Sequence, residues 1–177
     1  MRSYKNIPYY FVGFSIFILL KLWFSKAANS DLFFLLKPSD FFISLFFGSR
    51  SVFIPDVGYY HENLNIIIDK SCCGFNYMLL CFLIFSYLFV NYFNKPLYKA
   101  FSLAAALMLS YLMAIFVNIS RIGFSIFIYN HIITFSQVNQ KNAHLTVGIF
   151  TYLFFLTLAW LVKDKLLNKR KLHEKYN

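Results

Sequence analysis

Long apolar runs divided by short polar segments dominate this chain and predict helices that cross a membrane. The first run, Ile7–Phe24, has 18 residues and would form about 27 Å of helix, just enough to span a bilayer. Further runs extend from Phe75 to roughly Phe93, from Leu97 to Val117 and from His144 to Val162. We therefore expect four full spans, the first of them an uncleaved helix rather than a signal peptide.

A different apolar stretch, Asp31–Gly48, is interrupted by the polar segment 37–40, so neither half is long enough to cross. That segment contains a proline, which lacks a backbone donor and biases the residue before it away from the helical conformation. We expect a short interfacial helix over Asp40–Phe47, capped by Ser39 or Asp40 and ending at Gly48. A tilted or kinked span through the whole stretch is the alternative.

The most polar interior region, residues 49–70, predicts a small β-hairpin. Pro55-Asp56-Val57-Gly58 is a turn signal, and β-branched and aromatic residues lie on both sides of it, over Ser51–Ile54 and Tyr59–Asp69. The second strand would deliver the chain to two cysteines, at the point where the second long helix begins.

The segment Ile122–Phe135, which follows the third apolar run, has two interpretations. It is apolar, but Asn130 and His131 divide it. It forms either a short re-entrant or surface helix, or a continuation of the third helix.

Composition indicates an integral membrane protein with no separate soluble domain. Of the 177 residues, 59% are hydrophobic and only 14% are charged, whereas soluble domains average about a quarter charged residues. No stretch outside the apolar runs is long enough to bury a core of its own. The expected fold is an all-α polytopic membrane protein of one domain, residues 1–177. It has about four full transmembrane helices, interfacial or re-entrant helices, and a small extracytoplasmic β-hairpin.

The net charge of +10 is distributed in a way that indicates membrane orientation rather than nucleic-acid binding. Six of the 17 basic residues lie in the last fifteen positions, directly after an apolar run, as expected for a cytoplasmic flank. With both chain ends inside, residues 163–177 form a basic cytoplasmic tail. The same topology puts Cys72, Arg121 and His144 at the outer ends of helices, in one plane.

Two adjacent cysteines, Cys72 and Cys73, stand at the start of the second long helix. Neighbouring Cα atoms are about 3.8 Å apart, whereas a disulfide needs about 4.4–6.8 Å. Cys81 lies further along the same helix and is expected to be buried there. At least one of the adjacent pair is therefore expected to be a free thiol. The alternative is that both are small buried hydrophobic residues.

Arg121 and His144 would give such a thiol the partners that acyl transfer needs. An arginine flanked by Ile119 and Ile122 is costly near a membrane and is usually functional or paired, although anchoring to lipid phosphate is an alternative. A histidine that opens a helix is most often structural on its own. With a thiolate as nucleophile, an arginine can stabilise the developing oxyanion and a histidine can protonate the leaving amine.

Three short patterns together resemble the signature regions of the exosortase/archaeosortase family, in particular its short exosortase K-like branch. They are Ser71-Cys72-Cys73-Gly74, then Asn118-Ile-Ser-Arg121, then His144 with Gly148 four residues later. The resemblance extends over about Asn65–Trp160 and implies a membrane cysteine protease and transpeptidase. Such an enzyme cleaves exported proteins at a C-terminal sorting signal, which consists of a short motif, a transmembrane helix and a basic cluster.

Carried over by position, the resemblance makes Cys72 the nucleophile and gives the other two catalytic roles to Arg121 and His144. Gly74 and Asn118 would support them, Gly74 by allowing close backbone approach, while the cysteine at 73 would be a bystander. The resemblance also implies a bacterial inner-membrane location with the site facing the periplasm. The implied partners are exported proteins that carry such a sorting signal, and the lipid bilayer; no nucleic acid is expected.

Other functions fit the residues less well. The chain contains neither Gly-x-Ser-x-Gly nor His-Glu-x-x-His. A zinc site from Cys72, Cys73, His61 and His144 is conceivable, but adjacent thiols rarely suit tetrahedral coordination, so we expect no metal and no cofactor. The remaining alternative is a non-catalytic membrane subunit, or a membrane protein that handles redox equivalents or metals through its thiols.

Overall fold

The computed structural model describes residues 6–131 and 146–158, which form five α-helices and one small antiparallel sheet. The helices are α1 (Ile7–Lys26), α2 (Phe33–Phe47), α3 (Phe75–Tyr92), α4 (Pro96–His131) and α5 (Thr146–Leu158), and the strands are β1 (Ser51–Ile54), β2 (Gly58–His61) and β3 (Ile66–Ile68). Single turns of 3-10 helix precede α2, connect β2 to β3, and precede α3.

Three of these helices are long and apolar enough to cross a membrane, namely α1, α3 with the turn before it, and α4. The described residues thus form a helical membrane protein, as predicted, but with fewer than the four full spans expected. The fourth predicted span corresponds to α5, whose described part is about 20 Å long and too short to cross. The predicted limits of that span, His144 and Val162, lie outside the described residues.

The helices α1, α3 and α4 lie antiparallel in chain order, so the bundle has two distinct ends. At one end Asn6 Nδ2 donates a hydrogen bond to Asn91 Oδ1 at 3.2 Å, and Lys99 Nζ donates to Asn6 Oδ1. At the other end Lys21 Nζ donates to Asn76 Oδ1 at 2.6 Å, just after the cysteines. We call these the Lys99 end and the Cys72 end.

Helix α2 begins earlier than predicted and continues through Pro38 without a break. The proline cannot donate to the carbonyl of Phe34, and the hydroxyl of Tyr111 on α4 donates to that oxygen instead, at 2.8 Å. The predicted start at Asp40 is therefore wrong, because a distant side chain replaces the missing helical hydrogen bond. The predicted end is confirmed, since Gly48 terminates the helix with a left-handed φ of 61°.

The two helices α2 and α4 run side by side in the same direction. Their contacts follow the same order along both chains: Phe34 with Tyr111, Ser39 with Asn118, and Phe47 with Gly123. These contacts extend over about 18 Å of α4. Helix α2 therefore supports the part of α4 that leads to the Cys72 end, although it is itself too short to cross a bilayer.

The predicted hairpin is present, but its second strand is divided in two. Strands β1 and β2 pair antiparallel, and β2 then pairs antiparallel with β3, in the order β1-β2-β3. The division falls at Glu62–Asn65, where a 3-10 turn ends in a left-handed conformation at Asn65, with φ 49°. The chain therefore turns back once more before Ile68 delivers it to Cys72.

Helix α4 resolves the two interpretations of the segment after the third apolar run. The helix continues without interruption from Pro96 to His131, so Ile122 and the residues up to His131 extend it. The remainder of that segment lies outside the described residues. Arg121 is thus an interior residue of a long helix, and its predicted place at a helix end is wrong.

Replacement of Pro38 by alanine should make the Tyr111 hydroxyl redundant, because the new N–H at position 38 can donate to Phe34 itself. In the native background, Tyr111→Phe should lower the free energy of unfolding by about 1 kcal/mol, the usual cost of a lost hydrogen bond. In the Pro38→Ala background it should cost clearly less. Thermal unfolding of the four proteins in one detergent measures this coupling, and equal costs in both backgrounds would contradict the explanation.

Candidate active site

Cys72 lies in a short, tightly held turn between β3 and α3. Asp69 Oδ1 accepts hydrogen bonds from the backbone N–H of Ser71 at 3.0 Å and from its hydroxyl at 2.6 Å, and the Cys72 N–H donates to the Asp69 carbonyl at 2.9 Å. The Ser71 hydroxyl is 3.7 Å from Cys72 Sγ. The cysteine is 6% exposed. The backbone therefore fixes the position of the thiol just below the surface of the fold.

Lys70 attaches this turn to the end of α1. Its Nζ donates to the carbonyl of Ala27 at 2.6 Å and to that of Ser25 at 3.2 Å, where a cation is favourable because the last carbonyls of a helix lack partners. Its backbone N–H donates to Asn29 Oδ1 at 2.8 Å, and Asn29 Nδ2 in turn donates to the Asp56 carbonyl at 3.2 Å. One lysine and one asparagine thus connect α1, the hairpin turn and the cysteine turn.

Gly74 and Asn118, the two predicted supporting residues, lie against each other. Gly74 has a φ of 73°, and a Cβ at this position would lie 3.3 Å from Asn118 Cβ and 3.5 Å from the Ala114 carbonyl oxygen. Asn118 is fully buried, and its Nδ2 donates to Ser39 Oγ at 3.2 Å. The missing side chain of Gly74 therefore lets α3 begin in contact with α4 and, through Asn118, with α2.

Arg121 brings three helices together at the Cys72 end. It projects from α4 and is 7% exposed. Its charge acts on the nearby Cys72 side chain, and its Nη1 donates to the hydroxyl of Tyr152 on α5 at 2.6 Å. Gly148 lies beside it, and a Cβ there would be 3.2 Å from Arg121 Cδ. A guanidinium in this position favours the thiolate form of a cysteine, whereas burial opposes it.

Sequence reasoning missed two tyrosines of this site. The ring of Tyr152 stacks on the ring of Tyr77 from α3, with centroids 4.9 Å apart and planes 20° apart. Tyr77 is 1% exposed. A usable signal was present, since His144, Gly148 and Tyr152 are spaced four residues apart, and residues at that spacing share one face of a helix.

His144, the third predicted catalytic residue, lies outside the described residues. The described part of α5 begins two residues later, at Thr146, and two residues after that Gly148 already contacts Arg121. The structure therefore brings Cys72 and Arg121 together, while the place of His144 stays a prediction.

The other two cysteines are more deeply buried than Cys72. No disulfide joins the three cysteines of the chain. Cys73 is 1% exposed and lies next to the backbone at the start of α3. Cys81 is 2% exposed within α3, where burial was predicted.

His61, which the zinc alternative would require, is engaged elsewhere. Its Nδ1 is within hydrogen-bond distance of Ser49 Oγ, at 3.1 Å, and its Nε2 lies 3.0 Å from the carboxylate oxygen Oδ1 of Asp40. Burial, and then the negative charge of Asp40, raise the pKa of the adjacent Tyr59 above its ordinary value. Within residues 6–131 and 146–158, no three histidine, cysteine or acidic side chains are placed to hold a metal ion together.

Comparison of the chain with protein-family models, with curated proteins and with solved structures finds no match. The functional argument therefore depends on the three sequence patterns and on the contacts among the residues that carry them.

Substitution of Gly74 by alanine should disturb the site more than the same change at Gly48. Both glycines have left-handed backbone, with φ 73° and φ 61°, so both variants incur the same kind of backbone strain. Only at Gly74 would the new Cβ also press on Asn118, since nothing lies within 4 Å of the corresponding position at Gly48. Gly74→Ala should therefore cost about 1–2 kcal/mol more in unfolding free energy. Equal losses, measured by thermal unfolding, would show that the close approach to Asn118 is unimportant.

Proposed function

We propose that this protein is an exosortase-like membrane cysteine protease and transpeptidase, which cleaves the C-terminal sorting signals of exported proteins. Cys72 is the nucleophile, Arg121 stabilises the thiolate and the developing oxyanion, and His144 is the proton donor. The observation that carries the proposal is the buried Arg121 guanidinium, whose charge acts on the buried Cys72 side chain. A buried arginine is costly and would be hard to explain beside a thiol that served only to fill space.

Cys72 is favoured over Cys73 by the contacts of the two sulfurs. The Cys72 side chain contacts Arg121 and the Ser71 hydroxyl, both of which can stabilise negative charge. The Cys73 sulfur contacts the backbone of Phe75, and Cys73 is the less exposed of the two, at 1% against 6%. A nucleophile needs both charge stabilisation and access, so the assignment goes to Cys72.

The proposed reaction proceeds through a thioester. The Cys72 thiolate attacks the carbonyl carbon of the scissile amide, and the carbonyl oxygen takes up the negative charge beside Arg121. As the tetrahedral intermediate collapses, the C–N bond breaks and His144 gives its proton to the departing amine. Water or an amine then attacks the thioester, loses a proton to His144, and releases the product and the thiolate. Water gives hydrolysis, and an amine gives transpeptidation.

His144 enters this proposal through its position in the sequence. It precedes Gly148 by four residues and Tyr152 by eight, and those two residues contact Arg121. A helical spacing carried one turn toward the N-terminus would add His144 to the same face. The proposal therefore places its imidazole beside Arg121 and Cys72.

The proposed setting is a bacterial inner membrane, with the Cys72 end of the bundle at the periplasmic surface. The Lys99 end holds Lys95 and Lys99, and the basic residues of the tail follow the last apolar run, in keeping with a cytoplasmic side for both. A substrate with a motif outside the membrane, an apolar helix and a basic cytoplasmic cluster has the same orientation. Its scissile bond would lie at the level of Cys72.

Replacement of Cys72 should abolish processing, whereas replacement of the other cysteines should not. In cells that express the chain with an exported protein bearing such a tail, Cys72→Ser should lower the rate of cleavage about a hundredfold or more, because a hydroxyl is a far weaker nucleophile than a thiolate. Mass spectrometry of the exported protein measures cleavage. Cys73→Ser and Cys81→Ser are the matched controls and should retain it. Unchanged cleavage in Cys72→Ser would refute the assignment, and loss only in Cys73→Ser would move it by one residue.

Arg121→Lys should remove most of the activity even though the charge is kept. A lysine has a single ammonium in place of a planar fork of donors, so it cannot hold Tyr152 and Cys72 at once in the same geometry. Cleavage in the same assay should fall at least about tenfold, and Arg50→Lys, an exposed arginine elsewhere in the fold, is the control. A non-catalytic or thiol-redox protein would instead tolerate Arg121→Lys and require both Cys72 and Cys73.

A further inference from the structure

We infer that Tyr152 is a positioning residue of this site: its hydroxyl holds the Arg121 guanidinium against the Cys72 thiol. The inference rests on the proposed function only in taking Cys72 as the reactive group. Neither the sequence patterns nor the resemblance assigns a role to this tyrosine.

The hydrogen bond between Arg121 and Tyr152 is short and lies inside the fold. Arg121 Nη1 donates to the tyrosine oxygen at 2.6 Å, and the centre of the guanidinium is 5.3 Å from the ring centroid. A guanidinium has five N–H donors in a rigid plane. The bond from Nη1 to Tyr152 therefore restricts the orientation of the plane, and with it the position of the charge relative to Cys72. Without that acceptor, the flexible side chain of Arg121 has several other orientations to adopt.

Tyr152 is itself held by the helix that follows the cysteine turn. Its ring stacks on Tyr77, which is 1% exposed and lies in the first turn of α3. The Tyr152 hydroxyl, which accepts the hydrogen bond from Arg121, is thus held by α3 through Tyr77, and Cys72 lies directly before the same helix. The guanidinium is therefore positioned relative to Cys72 as well as bound to α5.

Gly148 completes the fit between α5 and Arg121. It precedes Tyr152 by four residues, and a Cβ there would lie 3.2 Å from Cδ and 3.6 Å from Nε of Arg121. A Cβ at position 148 would displace the arginine side chain, whereas the Tyr152 hydroxyl, one helical turn later, binds the guanidinium at its end. One face of α5 thus provides space for the Arg121 side chain at Gly148 and a hydrogen-bond acceptor for its guanidinium at Tyr152.

The role predicts an effect on Cys72 that depends on pH. While the thiol is mostly protonated, the guanidinium increases the fraction that is thiolate, so its position affects the reaction rate. At strongly alkaline pH the thiolate forms without that help. A residue that acts by positioning Arg121 should therefore matter most near pH 7, and its effect on the rate should shrink as the pH rises.

The test is the rate of alkylation of Cys72 by iodoacetamide in the purified full-length chain, resolved by peptide mass spectrometry at pH 7 and pH 10. Tyr152→Phe keeps the ring stack and removes only the hydroxyl. It should slow Cys72 alkylation about fivefold at pH 7, with a smaller deficit relative to the native chain at pH 10. Tyr87→Phe, at the Lys99 end, is the matched control and should react as the native chain does. Gly148→Ala is a second route to the same displacement and should show the same dependence on pH.

A native rate for Tyr152→Phe at pH 7 would overturn the inference. So would a faster rate, which would indicate a loosened fold, or an equal deficit at both pH values, which would indicate a change in access alone. The outcome is separable from that of the proposed function. Slowed alkylation in Tyr152→Phe together with undiminished processing in Cys72→Ser would keep the positioning role and refute the peptidase. A native alkylation rate in Tyr152→Phe together with loss of processing in Cys72→Ser would refute the positioning role and support the peptidase.

Discussion

A guanidinium buried among apolar helices must keep its hydrogen-bond partners, and the Cys72 end of this protein is arranged around that requirement. Arg121 projects from α4, its Nη1 donates a hydrogen bond to Tyr152 of α5, and its charge acts on the Cys72 side chain just before α3. A hydrogen bond to a charged group typically contributes about 1.5–3 kcal/mol, and its loss leaves a buried charge less well compensated. The group that joins these three elements is therefore also the group placed against the thiol, so packing and chemistry depend on the same contact.

The surrounding elements restrict how far this contact can move. Lys70 connects the cysteine turn to the last carbonyls of α1, and Gly74 allows α3 to begin directly against Asn118. From Asn118 the contact continues through Ser39 into α2. That helix survives its internal proline because Tyr111 supplies the missing donor. Short-range turn chemistry and a few long-range hydrogen bonds thus fix the thiol on one side and the arginine on the other.

The helical framework could be predicted because apolar runs of spanning length have few other structures to adopt in a bilayer. The close approach at Gly74 could also be predicted, since a glycine at a helix start often indicates close backbone contact. The start of α2 could not, because the local effect of Pro38 is offset by a tyrosine far along the chain. Tyr152, one of 13 tyrosines, was harder to predict: its four-residue spacing from Gly148 indicates a shared helix face, but not that the tyrosine accepts a hydrogen bond from a distant arginine. The division of the second strand at Asn65 came from a left-handed residue that the apolar pattern does not reveal.

The central claim is that Cys72 forms a thioester with the exported protein that it cleaves, and capture of that intermediate tests it most directly. Hydroxylamine reacts with thioesters in place of water or an amine. Added to membranes that contain the chain and a protein with a C-terminal sorting tail, it should yield a cleaved product that ends in a hydroxamate, detectable by mass spectrometry. The hydroxamate should be absent from the Cys72→Ser variant. Cleavage that gives only a free carboxylate in the presence of hydroxylamine, and that persists in Cys72→Ser, would contradict the account.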